Sequence, residues 1–461
     1  MKKILYCISF FTIIVFVGCK KFLNQQPYNN LSVTDVFKDF EGARTTLAGC
    51  YDKLNSTNYY LRTFILYPEV TVGNIKYARP SNQALALSYN FLNTFTDNDM
   101  VNFYKNAYTL IYNSNTIIAN VNNIADANTL QKNRLLADAY CMRALSHFDL
   151  ARVFSQAYNY STDASHAAIT IRNKVVDVLT PAIAPNTCKE VFNQITADLD
   201  SAILLYSNST KIFTVGDDRT YFSADAAKAL QSRVALYKND WAKVINLSTE
   251  IIGSNRYTLI PNAGYVASWR QKNISSESIF EIAFGNKVAG SLGDFYNPKN
   301  SINGHLATAI DLLNLFSIGD VRGKPAMFVD STINAAPYSF TKKYLGMNDS
   351  ANNIKILRLS ELYLNRAEAN AELNNLTAAL VDLNIIRKRA NPASVNFSST
   401  DQQIILGEIL TERRRELCFE GHTFFDFSRK KKNIARADCV GINCSFTYPD
   451  NKYACIIPST N

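Results

Sequence analysis

Four histidines and a ladder of four carboxylates are the residues of this 461-residue chain best suited to proton transfer or metal binding. His147, His166, His305 and His422 stand far apart, and none falls in an HExxH or comparable metal spacing. Glu408, Glu412, Glu416 and Glu420 recur every fourth residue, which lines one face of a helix and would suit two-carboxylate glycoside chemistry. Arg413, Arg414 and Arg415 interleave with them and favour another account, ion pairs that neutralise the ladder and fix the helix against its neighbours. Neither a GxSxG nucleophile turn nor a GxxxxGK[ST] phosphate loop is present. The expectation is a non-catalytic chain with no cofactor and no metal.

Binding chemistry is better represented. Sugars present apolar faces edged by hydroxyls, so their sites combine flat aromatic side chains with hydrogen-bonding ones. Two aperiodic stretches hold such sets: Asn74, Lys76, Tyr77 and Arg79 in the first, and Tyr265, Trp269, Arg270, Tyr296 and Asn297 in the second. These nine are the candidate ligand residues. Replacing Trp269 and Tyr77 together by Ala is expected to abolish glycan binding and leave the melting transition intact. Basic residues among them would serve an acidic peptide as well, and neither composition nor spacing separates a glycan from a peptide.

The elements that must position these residues are helical. Lys355 to Ala390 reads as a helix-turn-helix unit, with Leu357, Leu364 and Ala371 on one face and Leu359, Leu362 and Tyr363 on a second. Asn374 and Asn375 make the turn, and Leu376, Ala379, Leu380, Leu383 and Ile386 resume the period. A hairpin oily on two sides needs neighbours on both, which is the logic of helical repeats. Ala226 to Ile252 repeats the pattern: Ala235, Asn239, Ala242, Val244 and Leu247 stand where Ala371, Asn375, Ala378, Leu380 and Leu383 do. The full tetratricopeptide signature is absent, so the repeats are degenerate. Further helices are expected from a Thr34 or Asp35 cap to Leu54, over Asp99–Ile124 and Arg134–Phe154, after a Thr187/Glu190 capping box, after Ser223, and over Asp401–Phe419. Residues 57–98, 155–185 and 253–344 lack helical period, apart from strand-like alternation in Ser278–Phe284. The fold class is mainly α, a degenerate tetratricopeptide-like scaffold of about four units with long irregular loops and little β.

Composition sets the outer bounds. At 47% hydrophobic and 19% charged, the chain is globular rather than disordered. Its net charge of +9 is scattered, apart from Arg429–Lys432, which disfavours a nucleic-acid stripe. Lys2 and Lys3, the apolar run Ile4–Val17, and Val17-Gly18-Cys19 make a secretory leader too short to span a bilayer comfortably and similar to a lipobox. Cys19 is then the lipidated N-terminus, with several acyl chains giving a stable membrane anchor. In an exported chain disulfides are permissible, and of the seven cysteines beyond Cys19, Cys439, Cys444 and Cys455 in the loop-rich tail are the better candidates. Without a nearby histidine these three make a poor zinc site.

The order of elements resembles the SusD/RagB family of outer-membrane lipoproteins. The resemblance rests on Cys19-Lys-Lys-Phe-Leu-Asn-Gln-Gln-Pro27, on Leu357–Ala390, and on Glu412-Arg-Arg-Arg-Glu-Leu-Cys-Phe-Glu-Gly421 running into Phe424-Phe425-Asp426. It implies four tetratricopeptide-like units with loops gathered into a ligand site, and a TonB-dependent, SusC-like transporter as partner. It also implies capture of an oligosaccharide, or of a peptide as in the RagB branch, for nutrient uptake; a purely structural adaptor is the remaining alternative. Lys20 and Lys21 stand where family members often carry acidic residues associated with export to the cell surface. Residues 1–18 are assigned to the signal peptide, 19–30 to a tether, 31–260 to a SusD-like N-terminal region, and 261–461 to a C-terminal region.

Overall fold

Helices with two buried faces dominate the chain, as the repeat logic requires. The computed structural model describes residues 32–79, 84–176, 184–271, 274–284, 292–299, 304–344, 352–439 and 441–459. The leader, Cys19 and the tether lie outside the described residues. The long helices are α1 (Phe40–Leu54), α2 (Thr63–Val72), α3 (Asn98–Asn120), α4 (Thr129–Phe154), α5 (Cys188–Tyr206), α6 (Ala224–Tyr237), α7 (Trp241–Gly253), α8 (Leu359–Glu372), α9 (Leu376–Ala390) and α10 (Gln402–Leu417), followed by the short α11 (Thr423–Arg429). In sequence order α3, α4 and α5 pack side by side, as do α6 and α7, and α8 and α9. Helix α8 also packs on α7 and α10, so the 226–252 and 355–390 units stack as repeats do. The main apolar core runs from Phe37 to Cys455 and crosses residue 260 without a break.

Several helix starts follow from side chains that satisfy the free N–H groups of the first turn. Thr187 and Glu190 form the expected capping box of α5, and Ser223 caps α6. Asp39 caps α1, whereas the expected Thr34 and Asp35 fall inside the separate turn Val33–Val36, which Ser32 caps. Helix α4 begins five residues before Arg134, at a capping box of Asn128 and Gln131.

The strands form small two-stranded ribbons. β1 (Ile75–Tyr77) pairs antiparallel with β3 (Leu306–Thr308), joining two stretches that are far apart in sequence. β4 (Phe328–Ile333) and β5 (Ala336–Thr341) form a hairpin whose turn residues, Asn334 and Ala335, both take positive φ. β2 (Ser278–Ile282) pairs with β6 (Ile354–Arg358). The start of the 355–390 unit is therefore a strand rather than a helix. Its residues Ile354–Arg358 are buried on both faces, Lys355 and Arg358 included, and so short a run has no clear period to betray its state.

A buried ion cluster ties these parts together. Arg358 Nη1 lies 2.6 Å from Glu416 Oε1 and 2.8 Å from Glu277 Oε1, and its Nε lies 2.8 Å from Glu420 Oε2. Glu416 also accepts from Arg322 and Arg389, so three guanidiniums converge on one carboxylate. The Glu408–Glu420 ladder is thus neutralised, but mostly by residues from other elements. Of the three interleaved arginines only Arg415 serves the ladder, while Arg413 pairs with Asp426 and Arg414 with Asp311. Consecutive residues on a helix point about 100° apart, so three in a row cannot share a face.

The surrounding guanidiniums hold the carboxyl of Glu416 well below the ordinary 4.5 despite its burial. A depressed folded-state value stabilises the protein above the unfolded pKa, and that contribution disappears as pH falls through the folded value. Burial raises Asp138, Asp149 and Glu69 and gives these groups the opposite sign, so a difference between variants isolates Glu416. Glu416→Gln should be destabilised by about 3–5 kcal/mol at pH 7. Urea unfolding at pH 7 and below pH 4.5 should show the gap between wild type and variant narrowing on acidification.

Candidate binding cleft

The two aperiodic stretches meet at the β1–β3 ribbon, and an open cleft of about 280 Å³ lies beside it. Lys76 projects from β1, Tyr338 and Ser339 from β5, and Asp330 from β4; Thr308, Ile310, Leu313, Lys324, Pro337 and Asp438 complete the walls. Lys76 Nζ is 2.5 Å from Asp438 Oδ2 and 5.5 Å from the centre of the half-buried Tyr338 ring. The same Asp438 oxygen accepts from the Ile310 N–H at 3.1 Å, which fixes its position. Across the cleft Asp330 accepts from Ser339 Oγ at 2.6 Å and pairs with Lys324 at 2.7 Å. These contacts, led by Lys324, hold the Asp330 carboxyl below its ordinary value. An aromatic face beside charged donors and acceptors can stack on an apolar ring and bond its hydroxyls.

The sequence-selected residues divide sharply. Lys76 lines the cleft. Arg79 stays beside the ribbon and donates to the carbonyls of Gly304 at 3.1 Å and Pro298 at 3.2 Å, tying the two stretches together. Asn74 is buried under the ribbon, donating to Glu69 and Thr423 and accepting from Arg414. Tyr77 packs at 4.6 Å on Tyr89 and donates to the Ala84 carbonyl. Arg270 is exposed and reaches the Ala326 carbonyl, and Asn297 accepts from the Lys299 N–H.

Tyr265, Trp269 and Tyr296 belong to the interior. Trp269 is 2% exposed, with Lys343 and Lys355 ammonium groups 4.4 Å and 4.6 Å from its ring, and Tyr265 and Tyr344 around it. Tyr296 packs on Tyr344 and Phe419. In this arrangement these rings, like that of Tyr77, offer no face to a ligand. The expectation that Trp269 and Tyr77 can be lost without cost to melting is therefore corrected, because both fill the core. Cleft residues outside the sequence-selected set include Tyr338, Lys324, Asp330, Ser339 and Asp438. For Asp330, Tyr338 and Ser339 the signal is the alternation of FVDSTINAAPYSFT around a turn, inside a region that lacks helical period; no local signal marks Lys324 or Asp438.

The histidines have structural settings. Burial lowers His147 to about 3 and His305 to about 4. His147 accepts from the Arg172 N–H and His305 from the Ala84 N–H. Among the described residues no cluster of three metal-ligating side chains occurs, and no helix is long and apolar enough to cross a membrane. Cys439 and Cys444 form a disulfide, whereas Cys455, the third candidate, is a buried free thiol.

Known proteins resemble this chain in both sequence and fold. A family model described as the SusD family matches residues 327–443, and one described as starch-binding and associating with the outer membrane matches residues 21–236. The chain belongs to the SusD/RagB family. Two SusD-like proteins of Formosa agariphila are 23% and 21% identical to it, over 94% and 89% of this chain and 93% and 87% of theirs. A SusD superfamily protein from Bacteroides thetaiotaomicron superposes with a TM-score of 0.81 at 24% identity, covering 91% of this chain and 96% of that one. A SusD-like carbohydrate-binding protein from Bacteroides vulgatus gives 0.77 at 20% identity, covering 90% and 94%. Starch binding is what the second model's description names, and carbohydrate binding is what the name of the Bacteroides vulgatus structure says of that protein.

Trp269→Ala should cost about 3–5 kcal/mol of stability through the cavity it leaves. Tyr338→Ala at the cleft should cost about 1 kcal/mol or less. Urea denaturation of the two variants distinguishes core from cleft.

Proposed function

We propose that this SusD family member captures an oligosaccharide in the Lys76–Tyr338 cleft and hands it to a SusC-like, TonB-dependent transporter for nutrient uptake. The single observation that carries the cleft is the half-exposed Tyr338 ring flanked by two preformed ion pairs, Lys76–Asp438 and Lys324–Asp330, at the rim of a ribbon. A sugar ring stacks on Tyr338 and Pro337, and its hydroxyls take the spare lone pairs of the two carboxylates and the ammonium protons. Because each charge already has a partner, a neutral ligand is accommodated without leaving any charge unpaired. The rigid helices behind the ribbon hold these groups in place, which reduces the ordering cost of binding.

Anchoring through a lipidated Cys19 places the binding domain at the outer membrane, facing the exterior, with the tether to residue 30 giving it reach. The family's description as starch-binding and associated with that membrane supports this reading.

Affinity electrophoresis of residues 20–461 against a polysaccharide panel tests it. One glycan class should retard the protein, and Tyr338→Ala should weaken that binding by about tenfold, the scale of one lost aromatic contact. Undiminished retardation of the Tyr338 variant removes the cleft from the reading, and retardation by no glycan removes the glycan.

A further inference from the structure

A second cavity, remote in sequence from β1, lies between the C-terminal half of α9, the loop that follows it, and α10. About 110 Å³ in size, it is lined by Ser317, Arg322, Arg387, Asn391, Ser394 and Arg415, with Leu315 and the carboxylates of Asp320 and Glu412 in its walls. Most of the donors of its arginines are committed. Arg322 bonds Asp320, Glu412 and Glu416 through all three of its nitrogens. Arg415 uses Nε on the Leu315 carbonyl and Nη1 on Glu408 and Glu412. Arg387 differs. It gives Nη1 to Glu408, while its buried Nε bonds no other described residue, and its Nη2 makes no bond among them either. The Nε–Nη2 edge is the side of a guanidinium that takes a carboxylate with two parallel hydrogen bonds. Ser394 Oγ, also buried, has no partner among the described residues.

The cavity is built rather than incidental. Asn384 and Phe397 exchange two hydrogen bonds, at 2.9 and 2.8 Å, which pin the loop onto α9. Arg387 lies 5.7 Å over the Phe397 ring, which orients the guanidinium plane. Asn391 donates to the Ile318 carbonyl and to Ser317 Oγ, closing the far side. Gly319 there has φ +86°, and a Cβ on it would come within 3.2 Å of the Asn391 side chain, so the approach needs glycine.

We infer that this cavity binds a single carboxylate group of a small hydroxylated ligand, gripped by the Nε–Nη2 edge of Arg387 with Ser394 Oγ as an additional donor. Charge sets the class. Asp320, Glu408 and Glu412 balance Arg322, Arg387 and Arg415, so a doubly charged phosphate meets as much repulsion as attraction, whereas a carboxylate gains two directed bonds at the cost of one charge. Ligand hydroxyls can donate to the free lone pairs of Asp320 and Glu412. A uronic acid of a glycan and the carboxylate of a short peptide both offer this chemistry. The inference does not depend on the Lys76–Tyr338 cleft.

The test follows the Arg Nε–Hε resonances of the full soluble chain, residues 20–461, by NMR during titration with galacturonate, galactose, glycyl-aspartate and sodium chloride. Galacturonate or glycyl-aspartate should shift the Arg387 signal in a saturable way, and which of the two binds more tightly identifies the source. Galactose and chloride should not. Arg387→Met and Arg387→Lys should each weaken carboxylate binding at least about tenfold, since an ammonium cannot reproduce the fork. Should those variants fold poorly, Ser394→Ala should still weaken binding about threefold. Tyr338→Ala should leave it unchanged, so loss of the cleft and loss of this cavity read out separately. Equal shifts from galactose, a response to chloride alone, or full affinity in the Arg387 variants overturns the inference.

Discussion

The convergence of Arg322, Arg358 and Arg389 on Glu416 is the interaction on which the rest of the structure depends. Glu416 sits on α10, Arg389 ends α9, Arg358 ends β6, and Arg322 belongs to the loop that leads into the β4–β5 hairpin. One carboxylate thus fixes the position of four segments. Burying such charges is costly, and the return is geometric. Each group has several directed partners, so the elements can meet in only one register. Lys343 and Lys355 extend the cluster to Trp269, whose ring stabilises two ammonium groups inside the core.

This polar centre explains how long loops behave as a rigid surface. The β1–β3 ribbon is held from below by Asn74, which is bonded to Glu69, Thr423 and Arg414, and from the side by Arg79. The β4–β5 hairpin is held through Arg322 and Lys343. A cleft between ribbon and hairpin inherits the rigidity of both, so few degrees of freedom remain to be lost when a ligand enters. The second cavity shares the same support, because Arg322 and Glu412 are at once members of the ion cluster and part of its wall.

Much of the helical scaffold was legible in the sequence, because helices announce themselves by period and by caps. The Thr187/Glu190 box, the Ser223 cap and the 226–252 and 355–390 units depend on neighbours within a few residues, and such local rules survive folding. The ligand residues were much less legible. Trp269 and Tyr296 lie in aperiodic sequence rich in Asn and Pro, which suggests surface, yet they are interior because Lys343, Lys355 and Tyr344, distant in the chain, close over them. Lys76 reached the cleft because β1 is short and its side chains alternate between core and solvent.

By itself the sequence determined the helical repeats, the caps of α5 and α6, and the absence of catalytic spacing among its histidines, since each depends on residue types at fixed short separations. It also favoured the three tail cysteines as the better disulfide candidates. Only the tertiary structure decided that Cys439 takes Cys444, that the 355–390 unit opens with a strand, and which aromatic rings face outward. Those outcomes depend on which residues distant in the chain arrive alongside, and burial is a property of the assembled surface rather than of the residue.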